Sequence, residues 1–336
     1  MLAWRAPPAR RLRFGRAGVE VPARQVPMAE PSISSADPER AVHALERAVA
    51  SAERGEPDRP IVLISSADLA SLPRDQVRGS LDRVMLGDFP DAGLDALLAS
   101  GVLDRLLPEV KAMVGFGDGE WRHKDVWKHT KQVVAQSVTR LEVRYAALFH
   151  DIGKVKTRSI SPDGEVHFFG HAEVGARMFD KLERRERLFS MDESLRAEIR
   201  FLVLHHLRAS QYDGKWTDSA VRRFAREVGP FLEDLLCLSR ADITTKRPEK
   251  KRRGISMIDE LSERITQLAA EDEKEPPLPT GVGNELMTTF RLPPSRLIGD
   301  IKRALEAAIE AGEIEPRLES SAYVEFVAEN RQRFGL

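Results

Sequence analysis

The chain has 336 residues, 42% hydrophobic and 31% charged, with 52 basic against 53 acidic side chains. That length suits about two domains, no run of about 18 apolar residues offers a membrane-spanning helix, and the lone Cys237 excludes a disulfide framework or a Cys-rich zinc module. The net charge of −1 excludes a globally basic nucleic-acid binder, so any RNA contact must come from local patches; a cytoplasmic location is expected.

Residues 1–27 hold six arginines against one acid, with no helical or strand period. A disordered basic arm, a targeting peptide, and a start assigned upstream of Met28 all fit, and the apolar centre of a secretory signal is missing. The expectation for 1–30 is an inert arm or an over-long start. At Asp37-Pro38 an N-cap followed by Pro at the first helical position opens a helix that Gly55-Glu56-Pro57 stops. Ile61–Ile64 is short and β-branched, read as a strand or a buried extended link. Beyond it apolar residues recur at three- and four-residue intervals, predicting helices near 74–86, 91–100, 103–114, 124–138, 141–154, 171–186, 192–208, 217–227, 230–243, 255–272, 295–311 and 320–332. Asp163-Gly164 suggests a small hairpin over 158–168. The class is all-α, divided into an N-terminal helical region (31–115), a central bundle (116–272) and a helical tail (273–336). Lys246 to Arg253 packs six basic residues into eight, as either a solvated loop or a contact for a phosphate backbone.

Of eight histidines, all but His43 fall between 123 and 206. His129, His150, His171 and the pair His205-His206 lie on or beside predicted helices. Asp151 adjoins His150, and Asp242 ends an apolar helix, where an unpaired buried charge would be costly. Imidazole and carboxylate without thiolate suit Mn, Fe, Ni, Co, Zn or Mg, and separate helices can each deliver one ligand to a common centre. His150-Asp151-Ile152-Gly153-Lys154 is the sharpest stretch. On one helix, His150 and Asp151 would share a face with the Lys154 cation, while Gly153 would leave room for substrate. Any one of these histidines alone would read as structural; the ordered series does not.

The order His129, His150-Asp151, Asp242 resembles the H…HD…D pattern of HD-domain metal-dependent phosphohydrolases, making 116–272 an HD domain. Several stretches are similar to the C-terminal body of bacterial CCA-adding tRNA nucleotidyltransferases: HKDVWKHT (123–130), YAALFHDIGK (145–154), FGHAEVGARMF (169–179), FLVLHHLR (201–208) and LSRADITTKRPEKKRR (238–253). The likeness extends over roughly 75–336, with 75–115 like that family's RNA-binding region. The catalytic head of that family, with its Gly-Ser motif and paired Asp residues, has no counterpart in 1–74, so nucleotide addition is not expected from this chain alone. Val155 also stands where the family usually has Pro.

The resemblance implies one or two divalent ions (Mn, Ni, Co, Fe or Mg) on His129, His150, Asp151, Asp242, His171 and His206. Asp151 and Lys154 would be catalytic, and Lys154 and Arg208 would steady phosphate oxygens. His206, directly before Leu207-Arg208, is preferred to His205 as a ligand; His123 and His167 receive no role. RNA would contact Arg222, Arg223, Lys246, Lys250, Lys251, Arg252 and Arg253. The implied activity is hydrolysis of nucleotide or RNA 3′-end phosphoesters such as 2′,3′-cyclic phosphates. The alternatives are a tRNA-binding module or the body of a split nucleotidyltransferase.

Overall fold

The structure, a computed structural model, describes residues 36–55, 60–116, 125–272 and 276–336. The basic arm and His123 lie outside these residues, as does the first residue of the helix predicted from 124. Among the described residues no helix is long and apolar enough to cross a membrane.

Among the described residues the fold is all-α apart from one two-stranded antiparallel hairpin. The N-terminal helices are α1 (Pro38–Arg54), α2 (Ser66–Ala70), α3 (Arg74–Leu86), α4 (Pro90–Ala99), α5 (Val102–Leu106) and α6 (Pro108–Lys111). The central helices are α7 (Val126–Gln136), α8 (Leu141–Phe149) and α9 (Lys154–Thr157), followed across the hairpin by α10 (His171–Glu186), α11 (Glu193–His205), α12 (Asp218–Val228), α13 (Leu232–Ala241) and α14 (Pro248–Asp272). The hairpin pairs β1 (Ser159–Ile160) with β2 (Val166–His167). The tail holds α15 (Val282–Phe290), α16 (Arg296–Glu310) and α17 (Ser320–Glu329).

Local chemistry accounts for the ends. Asp37 caps α1 by accepting from Glu39 N at 3.1 Å, and Gly55, at φ 80°, closes it. Ser65 and Asp68 form a capping box on α2, and the Asp68 carboxylate also accepts from Asp37 N at 2.7 Å, clipping α2 to the start of α1. One apolar cluster runs from Ala41 to Leu268, so α1–α6 and the central helices share a core. A second cluster, including Leu286, Ile301, Leu305, Tyr323 and Val327, holds the tail.

Several boundaries differ from the sequence reading. The helix predicted over 103–114 is two short ones, because Pro108 lacks an N–H and starts α6 afresh. The helix predicted over 141–154 ends at Phe149; residues 150–153 make turns and Lys154 begins a separate element. Ile61–Ile64 is an extended link in which Ile61 and Leu63 are exposed and Ile64 alone is buried. The basic run is no loop: from Pro248 onward it forms the first two turns of α14. Lys246 to Gly254 holds no apolar residue for a period to register, which is why the apolar pattern placed the start at 255. The short helices α2 and α15 had no counterpart among the predicted segments.

Candidate metal centre

Five helices bring the donors together. His129 lies in the second turn of α7, and His150 and Asp151 follow the end of α8. His171 opens α10, His206 follows α11, and Asp242 follows α13. Two groups result, His129 with His150 and Asp242, and Asp151 with His171 and His206, each with donor atoms within 4.8 Å of one another. In the first group His129 Nε2 is 3.3 Å from His150 Nε2 and 3.0 Å from Asp242 Oδ1. In the second, His171 Nε2 is 3.1 Å from His206 Nε2 and 3.5 Å from Asp151 Oδ1. Bonds of about 2.1 Å to one ion place neighbouring ligand atoms roughly 3.0–3.4 Å apart. The fit is close.

The tautomers sharpen the point. His150 Nδ1 lies 2.7 Å from Ala147 O, His171 Nδ1 2.8 Å from Phe168 O, and His206 Nδ1 2.8 Å from Val203 O. A carbonyl only accepts, so each Nδ1 carries a proton, and a ring that is neutral presents a bare Nε2. Burial lowers the pKa of His171 and brings His206 to about 4, which keeps both rings neutral at pH 7. Two bare lone pairs then face each other across 3.1 Å. That contact is repulsive unless a cation lies between them.

Asp151 joins the groups. Its Oδ2 is 3.2 Å from His150 Nε2 and 3.5 Å from His129 Nε2, while its buried Oδ1 has no hydrogen-bond partner. A buried acceptor left open in this way is costly and suits a ligand atom awaiting an ion. Burial would raise its carboxyl pKa, but His150 and Lys154 override that and hold it well below the usual range. Lys154 Nζ is 2.6 Å from Asp151 Oδ2. Burial works against Asp242 too, yet the hydrogen bond to His129 and the charge of His150 bring it to about 2. Burial pushes the His150 imidazole down; Asp151 and Asp242 outweigh it and leave the pKa raised.

Gly153 explains how Asp151 reaches His171. A Cβ at Gly153 would fall 2.0 Å from His171 O and 2.7 Å from Gly175 N, so the turn lies directly on the backbone of α10. The sequence reading kept Gly153 for substrate space. The space it frees is filled by α10 instead.

Thr244, which the sequence reading passed over, places its Oγ1 2.9 Å from His129 Nδ1. A hydroxyl two residues after Asp242 carries no pattern of its own. His205 points elsewhere, against Phe201 at 4.3 Å between ring centroids, and the His167 ring stacks on Phe169.

The remaining predicted contacts are dispersed. Arg208 pairs with Glu227, lies 5.3 Å over the Phe224 ring, and lines a cavity of about 490 Å³ with Trp216 and Arg223. Arg222 binds Asp272 at 2.8 Å, at the far end of α14 from Arg252, roughly 30 Å away along the helix. Arg222 therefore does not share one patch with the 246–253 run. Within that run Arg252 pairs with Glu249, and Lys251 Nζ is 3.5 Å from Gln136 Oε1. Lys246, Lys250 and Arg253 are exposed. Gln136 also donates to Ala241 O, which sets the basic helix start beside the segment carrying Asp242 and Thr244.

Comparison with known families matches the HD domain over residues 125–247. The chain contains an HD domain. The matched span covers every donor, from His129 to Asp242. Over 262 residues the chain is 32% identical to the A-adding tRNA nucleotidyltransferase of Deinococcus radiodurans, covering 76% of this chain and 58% of that protein. It is 30% identical to the CC-adding tRNA nucleotidyltransferase of Thermus thermophilus over the same length, 75% of this chain and 56% of that protein. The chain thus spans a little over half the length of these relatives. A multifunctional CCA protein of Dechloromonas aromatica is 31% identical over 131 residues, 38% of this chain and 31% of its own length.

Proposed function

We propose that the HD domain is a metal-dependent phosphohydrolase acting on phosphoesters of nucleotides or RNA 3′ ends, 2′,3′-cyclic phosphates among them. The observation that carries this reading is the facing pair of bare Nε2 atoms on His171 and His206, beside the unpartnered Oδ1 of Asp151. His129, His150 and Asp242 would hold one divalent ion and Asp151, His171 and His206 a second, with Asp151 offering one oxygen to each side. A divalent ion in such a site neutralises phosphoryl charge and acidifies water. Nitrogen and oxygen donors without thiolate suit Mn, Fe, Co, Ni or Mg.

The chain's own groups do the rest. The depressed pKa of Asp151 makes it a holding ligand and a poor proton acceptor. The Lys154 ammonium, 2.6 Å from Asp151, stands where charge builds on a phosphate drawn to the site. His129, Asp242 and His171 keep part of their side chains exposed while His150 and Asp151 are buried, so phosphate reaches the centre along that rim. Arg208 is retained as a phosphate contact only if it releases Glu227.

Hydrolysis of 2′,3′-cAMP with Mn²⁺, wild type against Asp151→Ala, tests the reading. Turnover should appear in the wild type and be lost in the variant. Equal rates in the two, or failure of the wild type to bind Mn²⁺, would overturn it. A second reading, a tRNA-binding body within CCA metabolism, is favoured by the similarity over 76% of the chain to the A-adding enzyme. It requires tRNA affinity that falls steeply with salt and on charge reversal of Lys250 and Arg253. Binding indifferent to both would remove it.

A further inference from the structure

We infer that Phe169 is a stacking platform for the base of a nucleotide whose phosphate lies at Asp151, His171 and His206. This rests on the phosphohydrolase reading and names the substrate class it would take. Single exposed apolar side chains are ordinary on a protein surface, but three features set this one apart.

The first is place. Phe169 is 77% exposed and precedes Gly170, whose φ of 70° turns the chain sharply into His171. Two residues span at most about 7 Å, so its backbone sits within one nucleotide's reach of the second donor group. The Phe168 carbonyl fixes that approach by accepting from His171 Nδ1 at 2.8 Å.

The second is orientation. The Phe169 ring stacks on His167 with centroids 4.9 Å apart and planes within 14°. One face is covered and held, and the other is open to solvent. A flat aromatic face with a rigid backing is what a nucleobase stacks on without regard to its edge pattern.

The third is charge. The Lys154 ammonium is 5.7 Å from the Phe168 ring, and Lys156 and Arg158 are exposed on the approach to β1. Glu173 adds an acceptor, its carboxylate 3.7 Å from the Cβ position of Gly170, suited to a ribose hydroxyl or a base amino group. A donor group that would hold a phosphate-binding cation, with an exposed aromatic ring two residues before His171, matches a nucleoside monophosphate or a nucleotide at an RNA end. An apolar ligand without phosphate would leave the donor group unused.

The test is binding rather than turnover. With Mn²⁺ present, calorimetry compares adenosine 3′-monophosphate with inorganic phosphate on wild type, Phe169→Ala and Phe169→Trp, all first checked for an unchanged melting temperature. Wild type should bind the nucleotide more tightly than phosphate. Phe169→Ala should lose about tenfold for the nucleotide and nothing for phosphate, and Phe169→Trp should restore the affinity. Fluorescence from the introduced indole should be quenched by the nucleotide and not by phosphate. Equal nucleotide affinity in wild type and Phe169→Ala overturns this inference and leaves the hydrolase reading standing. A wild type that binds Mn²⁺ but neither phosphate nor nucleotide overturns both.

Discussion

The two donor groups are built from similar parts and sit in different surroundings. Asp151, His171 and His206 are buried, locked by the contact of Gly153 on α10 and by carbonyls three residues before each histidine. In the other group only His150 is buried; His129 takes its orientation from a threonine hydroxyl, and Asp242 keeps 29% of its side chain exposed. The inner group is the more enclosed and the outer one the more exposed. On the proposed two-ion reading, such a centre would grip the inner ion more firmly than the outer one, with phosphate reaching both along the rim that His129, Asp242 and His171 share.

Asp151→Ala removes the oxygen facing each side and gives the largest effect: both ions should be lost, read as metal content after dialysis. Retention of one equivalent would show that the groups are independent. Gly153→Ala should come next. Its Cβ must push α10 away, so melting should fall by roughly 5–10 °C and the inner group should lose its ion before the outer. His206→Gln should reduce bound metal by one ion per chain and spare the outer group. Thr244→Val acts on the other side, releasing His129 Nδ1, and should weaken the outer ion by about 10–100-fold in a calorimetric titration.

The smallest expected effect is a control distant from both groups. Burial, a hydrogen bond with Asp234 and the charge of Glu142 raise the Glu198 carboxyl to about 8. The folded chain therefore keeps a proton that the unfolded chain releases above the usual carboxylate range. That contribution is complete in acid and is lost as pH rises towards about 8. Melting temperature should decline from about pH 4.5 to about pH 8 and level off above it, and Glu198→Gln should flatten the decline while leaving metal content alone. An unchanged slope would assign the pH response elsewhere.

Much of this was open to reading because helices repeat. α3 and α10 end where the apolar spacing predicts, since each buries one continuous stripe. The six candidate donors came from the resemblance to HD-domain proteins rather than from any local pattern, and the fold brings their atoms together in two groups. What escaped has physical reasons. α2 is five residues long and held by its capping box, too short for a period to register. Thr244 acts through a single hydroxyl, and Gly153 through a crossing that no local pattern encodes. The start of α14 was hidden because its first turns, Pro248 to Gly254, carry charges and no apolar stripe. Arg208 and Arg222 sat in suggestive positions, yet their carboxylate partners lie 19 and 50 residues away.

Arg144 extends the consequences beyond the matched HD span. Buried on α8, it donates to Gly87 O at 2.7 Å and to Met85 O, the carbonyls that end α3. Burial lowers its pKa, and it also donates to Thr139 Oγ1 at 3.1 Å. A fragment cut to 125–247 would keep that last contact, lose both α3 carbonyls and open the apolar face of α8 that packs on α3, one turn and a half upstream of His150. The helices before residue 116 are therefore a foundation for the centre, and dissecting the protein at the domain border should cost it the chemistry it was meant to isolate.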